Sequence, residues 1–269
     1  MKLLVFFISI IFLIPKQSET YYIVKVKGEI VNTTTGKTLA QGDAIEATDE
    51  LKFRDADAMA LVISDSQSKY ALKFPTTDNT EYSEYISTVS NALTLTKKKR
   101  FATRGILTNA PLKDLKEFLG DNDFTVIGNS LEVKLSKQAF ENLSIEAKYD
   151  KDGKPFNKEI IIGDTILNLS RKELGAKSNG EVKLYHVDFY KRNEKDLSVE
   201  KITRLDLNFI DEYALRDELI TIINVYKKKD YTKPQMKTFL MEYFLDFYGN
   251  THEYLLSQYV DKIIADNMK

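Results

Sequence analysis

Hydrophobic and polar positions alternate from the first residues after an apolar N-terminal run. Val24, Val26 and Ile30 are interleaved with Lys25, Lys27 and Glu29, the period of two that marks a half-buried strand. The polar stretch 32–37, with Gly36 available for a left-handed turn, leads to a short strand around Leu39, and Gly42-Asp43 marks another turn. Leu51 and Phe53 follow, then an apolar stretch at 58–63, then Tyr70, Leu72 and Phe74 before Pro75. Short strands divided by turn residues at this spacing predict a small antiparallel sandwich or barrel over residues 21–75. Residues 76–107 read as a connector rich in Thr, Ser, Asn and Asp, with room for one helical turn around 82–93.

A second unit is expected over 108–269. Asn109 can cap a helix with Pro111 in its first turn, Leu112, Leu115, Phe118 and Leu119 as its buried stripe, and Gly120 as its stop. Strands are expected at 124–127 and 131–135, a hairpin at 143–162 turning at residues 150–153, and further strands at 165–169, 182–189 and 202–209. Between them, residues 170–174 have a cap-and-helix pattern ending at Gly175. The last sixty or so residues change period to about 3.6. Leu215, Leu219, Ile222, Ile223 and Tyr226 share one helix face, starting near Asp211. Met236, Phe239, Leu240, Tyr243, Phe244 and Phe247 share a second, entered at Pro234 and ended at Gly249. Leu255, Leu256, Tyr259, Val260, Ile263 and Ile264 lie in a third, with Thr251 as its cap. The fold class is therefore α+β: a small N-terminal antiparallel β domain, an α+β middle and a C-terminal three-helix unit packed on it.

Gly28 after a Val-Lys-Val strand, Gly36, Leu39, Gly42-Asp43, Leu51, the apolar strand 58–63 and the closing Tyr70-Ala71-Leu72 strand together resemble the FecR-type β domain of bacterial envelope proteins. The resemblance covers residues 21–75 and implies a β fold with a sensing or contact role at the envelope. Members of that family carry a membrane helix before this domain, where this chain has a shorter apolar run.

That run, residues 3–14, follows Lys2 and precedes a polar stretch at 15–20, the three parts of a secretory signal. It is too short for a bilayer core that needs roughly twenty apolar residues. Residues 1–20 are read as a signal peptide, and the chain as an exported protein that is periplasmic or extracellular. The chain has no Cys, so it carries no disulfide and no lipid anchored through a cysteine. It must hold together on its hydrophobic core, which 43% apolar composition supplies. A net charge of −1 provides no global field for nucleic acid.

Candidate chemistry is sparse. His186 falls in an expected strand and His252 in the first turn of the last helix, where it is expected to be exposed. No spacing brings the two together as metal ligands. The Asp150-x-Asp152-Gly153 turn resembles a calcium loop only in its alternating carboxylates and fails the EF-hand template, since Gly stands fourth rather than sixth. Nucleophile elbows, phosphate loops and zincin pairs are absent from the sequence. No cofactor is expected. The forty acidic residues leave a carboxylate pair open. Two stretches are candidates for a partner surface: the basic run Lys97, Lys98, Lys99, Arg100 with Arg104, which reads first as a solvated linker or edge-strand protection, and the aromatic second C-terminal helix, apolar nearly all round, which reads first as a central helix wrapped by its neighbours and second as a docking face through Phe244 and Tyr248. The preferred reading is a non-catalytic binding, scaffold or sensor module that holds another envelope protein or a cell-surface polymer. A secreted hydrolase with paired carboxylates and a FecR-like signalling regulator remain open beside it.

Overall fold

A computed structural model describes residues 19–75, 86–96, 111, 113–120, 122–151, 153–160, 166–175, 184–227 and 229–268. The signal-like residues 1–18 and the basic run with Arg104 lie outside them. The chain divides into two compact units, Met1–Thr96 and Lys97–Lys269.

In the first unit the strands are β1 (Thr20–Lys27), β2 (Ile30–Asn32), β3 (Lys37–Thr38), β4 (Ala44–Glu46), β5 (Glu50–Phe53), β6 (Met59–Ser64), β7 (Lys69–Lys73), β8 (Ile86–Thr88) and β9 (Leu93–Leu95), with a single helical turn α1 (Val89–Ala92) between the last two. They form two sheets, β4-β1-β6-β7-β9 and β3-β2-β5-β8. Ile23, Ile45, Val62 and Leu72 of one sheet and Ile30, Leu51 and Phe53 of the other share a single core. The simple alternation expected for β1 is broken by a register shift between Ile23 and Lys25, so that Ile23 and Val24 are both fully buried. A bulge of this kind inserts one residue and resets the alternation after it. Gly28 has φ +75°, and a Cβ there would sit 3.0 Å from the Ala58 Cβ, so both conformation and space require glycine.

The β unit is larger than the 21–75 expected. Ile86, Ser87 and Thr88 pair with Lys52, Leu51 and Glu50, Leu93–Leu95 pairs with Tyr70–Leu72, and Val89 and Ala92 are buried in the core. Part of the expected connector is therefore two edge strands, too short for their alternation to be read in a Thr- and Ser-rich stretch.

The second unit contains α2 (Leu115–Leu119), β10 (Asn122–Ile127), β11 (Ser130–Lys134), β12 (Leu143–Lys151), β13 (Lys154–Ile160), β14 (Ile166–Ser170), β15 (Tyr185–Asn193), β16 (Val199–Ile210), α3 (Glu212–Lys227), α4 (Lys233–Tyr248) and α5 (Glu253–Asn267). Its main sheet has the order β10-β16-β15-β12-β13, antiparallel except for the parallel pair β10–β16, and β11 and β14 form a two-stranded ribbon. The core is lined by Ile145, Ala147 and Tyr149 of β12, Val187 and Phe189 of β15, and Leu205 and Leu207 of β16, against Leu115 and Phe118 of α2 and Leu131 and Leu169 of the ribbon. The α2 helix is capped by Asp114, whose Oδ1 accepts from the Lys116 and Glu117 amides at 2.8 and 3.2 Å. It is shorter than expected, and Asn109 lies outside the described residues.

The C-terminal helices match their apolar stripes except at Leu255, expected inside α5 and found 44% exposed because it stands off the buried face of Leu256, Val260, Ile263 and Ile264. A capping box starts α4: the Gln235 amide donates to Thr232 Oγ1 and the Thr232 amide donates to Gln235 Oε1 at 3.0 Å. Gly249 ends α4 with φ +85°. The cap position of α5 is His252 rather than Thr251, which is buried. Among the described residues no helix is long and apolar enough to cross a membrane.

Candidate functional site

The site is best built from β10, the edge strand of the main sheet. Its parallel pairing with β16 leaves one side of the strand without a sheet partner among the described residues. Part of that edge is closed by the α4–α5 corner: the Thr125 amide donates to the Asn250 carbonyl at 2.6 Å and Thr125 Oγ1 to the Tyr248 carbonyl at 2.5 Å. After Ile127 the chain turns at Gly128, whose amide bonds the Ile210 carbonyl at 2.9 Å, and enters β11. The start of α3 lies beside this turn because Ile210 ends β16 and Asp211 caps the helix through the Ala214 amide at 2.9 Å. Tyr259 of α5 donates its hydroxyl to the Glu212 carbonyl at 2.9 Å, which fixes α5 to the start of α3.

These elements enclose a groove of about 360 Å³. Phe124, Val126, Ile127, Leu131, Leu255 and Tyr259 give it apolar walls, and Glu132 and Glu212 also line it. Leu255 is 44% exposed and Tyr213, which follows Glu212, is 76% exposed. On α5 the buried stripe is Leu256, Val260, Ile263 and Ile264. Leu255 and Tyr259 stand four residues apart on the adjoining face, where a helix brings side chains together.

The aromatic helix α4 proves to be interior. Phe244 is fully buried and Tyr248 half-buried, so the partner surface expected at these two residues is corrected to a packing role. Tyr243 and Tyr248 donate their hydroxyls to Glu218 of α3, to Oε2 at 2.9 Å and Oε1 at 2.7 Å. Burial, and then the Glu218 charge, push both hydroxyls well above the ordinary tyrosine range. An all-round apolar helix is surrounded by neighbours because each of its faces must leave water.

His252 is also not where the sequence suggested. It is buried and stacks on Phe118, with ring centroids 4.2 Å apart and planes at 21°. Burial lowers its pKa below the usual 6.5, and the positive end of α5 acts in the same direction. As pH falls through about 6.5 the unfolded chain takes up this proton before the folded one does, so the stability is present above that pH and lost below it. The urea midpoint of the second unit is expected to drop between pH 7 and pH 5.5, and His252→Phe is expected to flatten that drop. An identical pH dependence in the variant would refute the assignment.

Other candidates resolve as follows. His186 stands on β15 with its Nδ1 2.5 Å from Asp206 Oδ1. Asp152 lies outside the described residues, and among those described no group of three His, Asp or Glu side chains could hold a metal ion. Asp188 is held at about 2 by hydrogen bonds from Arg204 and then by Lys201, the opposite of what a general acid needs. The chain matches no protein-family model and no curated protein. Nothing in the apolar pattern pointed to Leu255, which the sequence groups with the buried stripe of its helix and the structure leaves 44% exposed at the groove.

Proposed function

We propose that the chain is an exported binding module of the bacterial envelope whose groove beside β10 receives a segment of another protein. The carrying observation is the exposure of Leu255 on the wall of a groove lined by apolar side chains and by two carboxylates, Glu132 and Glu212. Large apolar side chains left in water beside a preformed groove are the usual anchors of a protein contact. Glu132 and Glu212 select for an occupant that places Lys or Arg next to its apolar side chain.

A photo-crosslinking amino acid placed at Leu255 in the host envelope is expected to trap one stoichiometric protein. The same probe at Leu197, 72% exposed on the β15–β16 hairpin, is expected to trap none. Leu255→Asp should weaken the purified complex by at least about tenfold, and Glu212→Lys should weaken it and reduce its salt dependence. Equal trapping at Leu197, or none at Leu255, would sink the proposal.

A further inference from the structure

The first strand of the first unit begins before the end of the export signal read from the sequence. Small residues are wanted just before the bond that a signal peptidase cuts. Thr20, with Ser18 two positions earlier, meets that requirement for a cut after Thr20, which would leave Tyr21 as the new N-terminus. In the folded chain, however, Thr20 already belongs to β1 and is paired with Glu46 of β4. The Asp65 amide donates to the Thr20 carbonyl at 3.0 Å, and Thr20 Oγ1 donates to Glu46 Oε1 at 3.1 Å.

Glu19 is tied in as well. Its carboxylate accepts from Ser66 Oγ and, at 3.1 Å, from the Tyr21 hydroxyl. Ser66 Oγ lies 2.8 Å from Ser64 Oγ, which accepts from the Ser68 amide at 3.2 Å. Ser64 is fully buried at the end of β6, so Glu19 is the charged acceptor of a hydrogen-bonded chain that closes the β6–β7 turn. The bonds from Ser66 and Ser64 hold its carboxyl below the usual carboxylate range, and bonds to a charged acceptor are roughly twice as strong as neutral ones.

A cut after Thr20 would do more than delete these contacts. Tyr21 is 7% exposed and stands between Ile45 of β4 and Ser64 of β6. Its amide nitrogen would become a charged ammonium inside the sheet, and its hydroxyl, whose pKa is pushed up to about 12 by burial and then by Glu19, would lose its acceptor. A charge created where water is excluded is costly unless a partner is supplied, and the same cut takes the Glu19 carboxylate away.

We infer that the export signal is removed on the N-terminal side of Glu19, so that the mature chain keeps Glu19 and Thr20 as the opening residues of its β unit. Between the end of the apolar run at Ile14 and Glu19, the one small residue is Ser18, which puts the cut at the Ser18–Glu19 bond. Lys16 stands third before that bond, so the fold rather than the small-residue pattern decides the site. A terminus at Glu19 sets the new ammonium ahead of the first paired residue of β1. The inference rests on the exported reading of the chain.

The test is expression of the full sequence in a bacterial host with a tag after Lys269, followed by N-terminal sequencing and intact-mass measurement of the protein from the envelope fraction. The expected N-terminus is Glu19. In parallel, chains running from Glu19 and from Tyr21 to Lys269, released from a cleavable fusion with no residue added, are compared by scanning calorimetry. The transition of the first unit is expected at least about 5 °C lower in the chain that starts at Tyr21. Glu19→Gln in the longer chain should give a smaller drop, because it weakens the acceptor without moving the terminus. A mature N-terminus beyond Glu19, or equal melting of the two chains, would overturn the inference and leave the exported reading standing. An uncut chain retained in the cytoplasm would remove both.

Discussion

Phe244→Ala is expected to lower the unfolding free energy of the second unit by about 3–5 kcal/mol, the cost of removing a fully buried phenyl group and leaving a cavity. Phe244 is completely inaccessible on α4 and packs against Tyr248, with ring centroids 5.5 Å apart. The measurement is urea unfolding followed by near-ultraviolet circular dichroism, where the tyrosines of this helix report directly. Phe244→Leu should recover much of the loss because it refills most of the volume. A loss below about 1 kcal/mol would mean that the side chain lies at a surface, and would return α4 to consideration as a docking face.

Glu218→Ala is expected to cost about 3 kcal/mol or more, because the Tyr243 and Tyr248 hydroxyls would lose a shared acceptor and buried unsatisfied donors cost about 1–3 kcal/mol each. The Glu218 side chain is 2% exposed and accepts from both, linking α3 to α4. Glu218→Gln, which keeps a carbonyl oxygen, should lose about 1–2 kcal/mol. The double variant Tyr243→Phe, Tyr248→Phe combined with Glu218→Leu should be less damaging than Glu218→Ala, since no polar group is then left without a partner. In alkaline titration at the tyrosinate absorbance, Tyr243 and Tyr248 should remain protonated until the unit unfolds, and Glu218→Leu should advance Tyr248. Normal titration of all tyrosines in the folded protein would contradict this arrangement.

These expectations show where sequence reading succeeds for this chain. The C-terminal helices were legible because each carries an apolar stripe with period 3.6, and the second also has its own start and stop residues: Pro234 at its entry and Gly249 at its end act within a few residues of chain. The hairpin β12–β13 was legible for the same reason, since the alternation of Ile145, Ala147 and Tyr149 and the turn at Gly153 are local. Failures occurred where the deciding partner is remote. Nothing near residues 86–95 announces that they pair with β5 and β7, because the pairing energy comes from backbone groups common to every residue. His252 looked exposed beside Glu253, and its burial depends on Phe118, 134 positions earlier in the sequence.

The candidate sites follow the same division. Residue types alone established that the chain lacks cysteine chemistry and recognisable nucleophile motifs, and that its C-terminal part is helical. Which apolar residues stay in water was settled by assembly. Leu255 and Leu256 are chemically identical neighbours, yet one is 44% exposed and the other fully buried, because 100° of helix rotation separates a face that meets the core from one that meets the groove. The ion-paired row on the outer face of the main sheet likewise exists only when β12, β15 and β16 are side by side: Lys148, Asp188 and Arg204 are scattered along the chain and become one row through strand register. Local periodicity specifies elements because it acts over one or two turns of chain. Grooves and charge arrays arise from side chains distant in sequence, and their positions are set by how the elements pack.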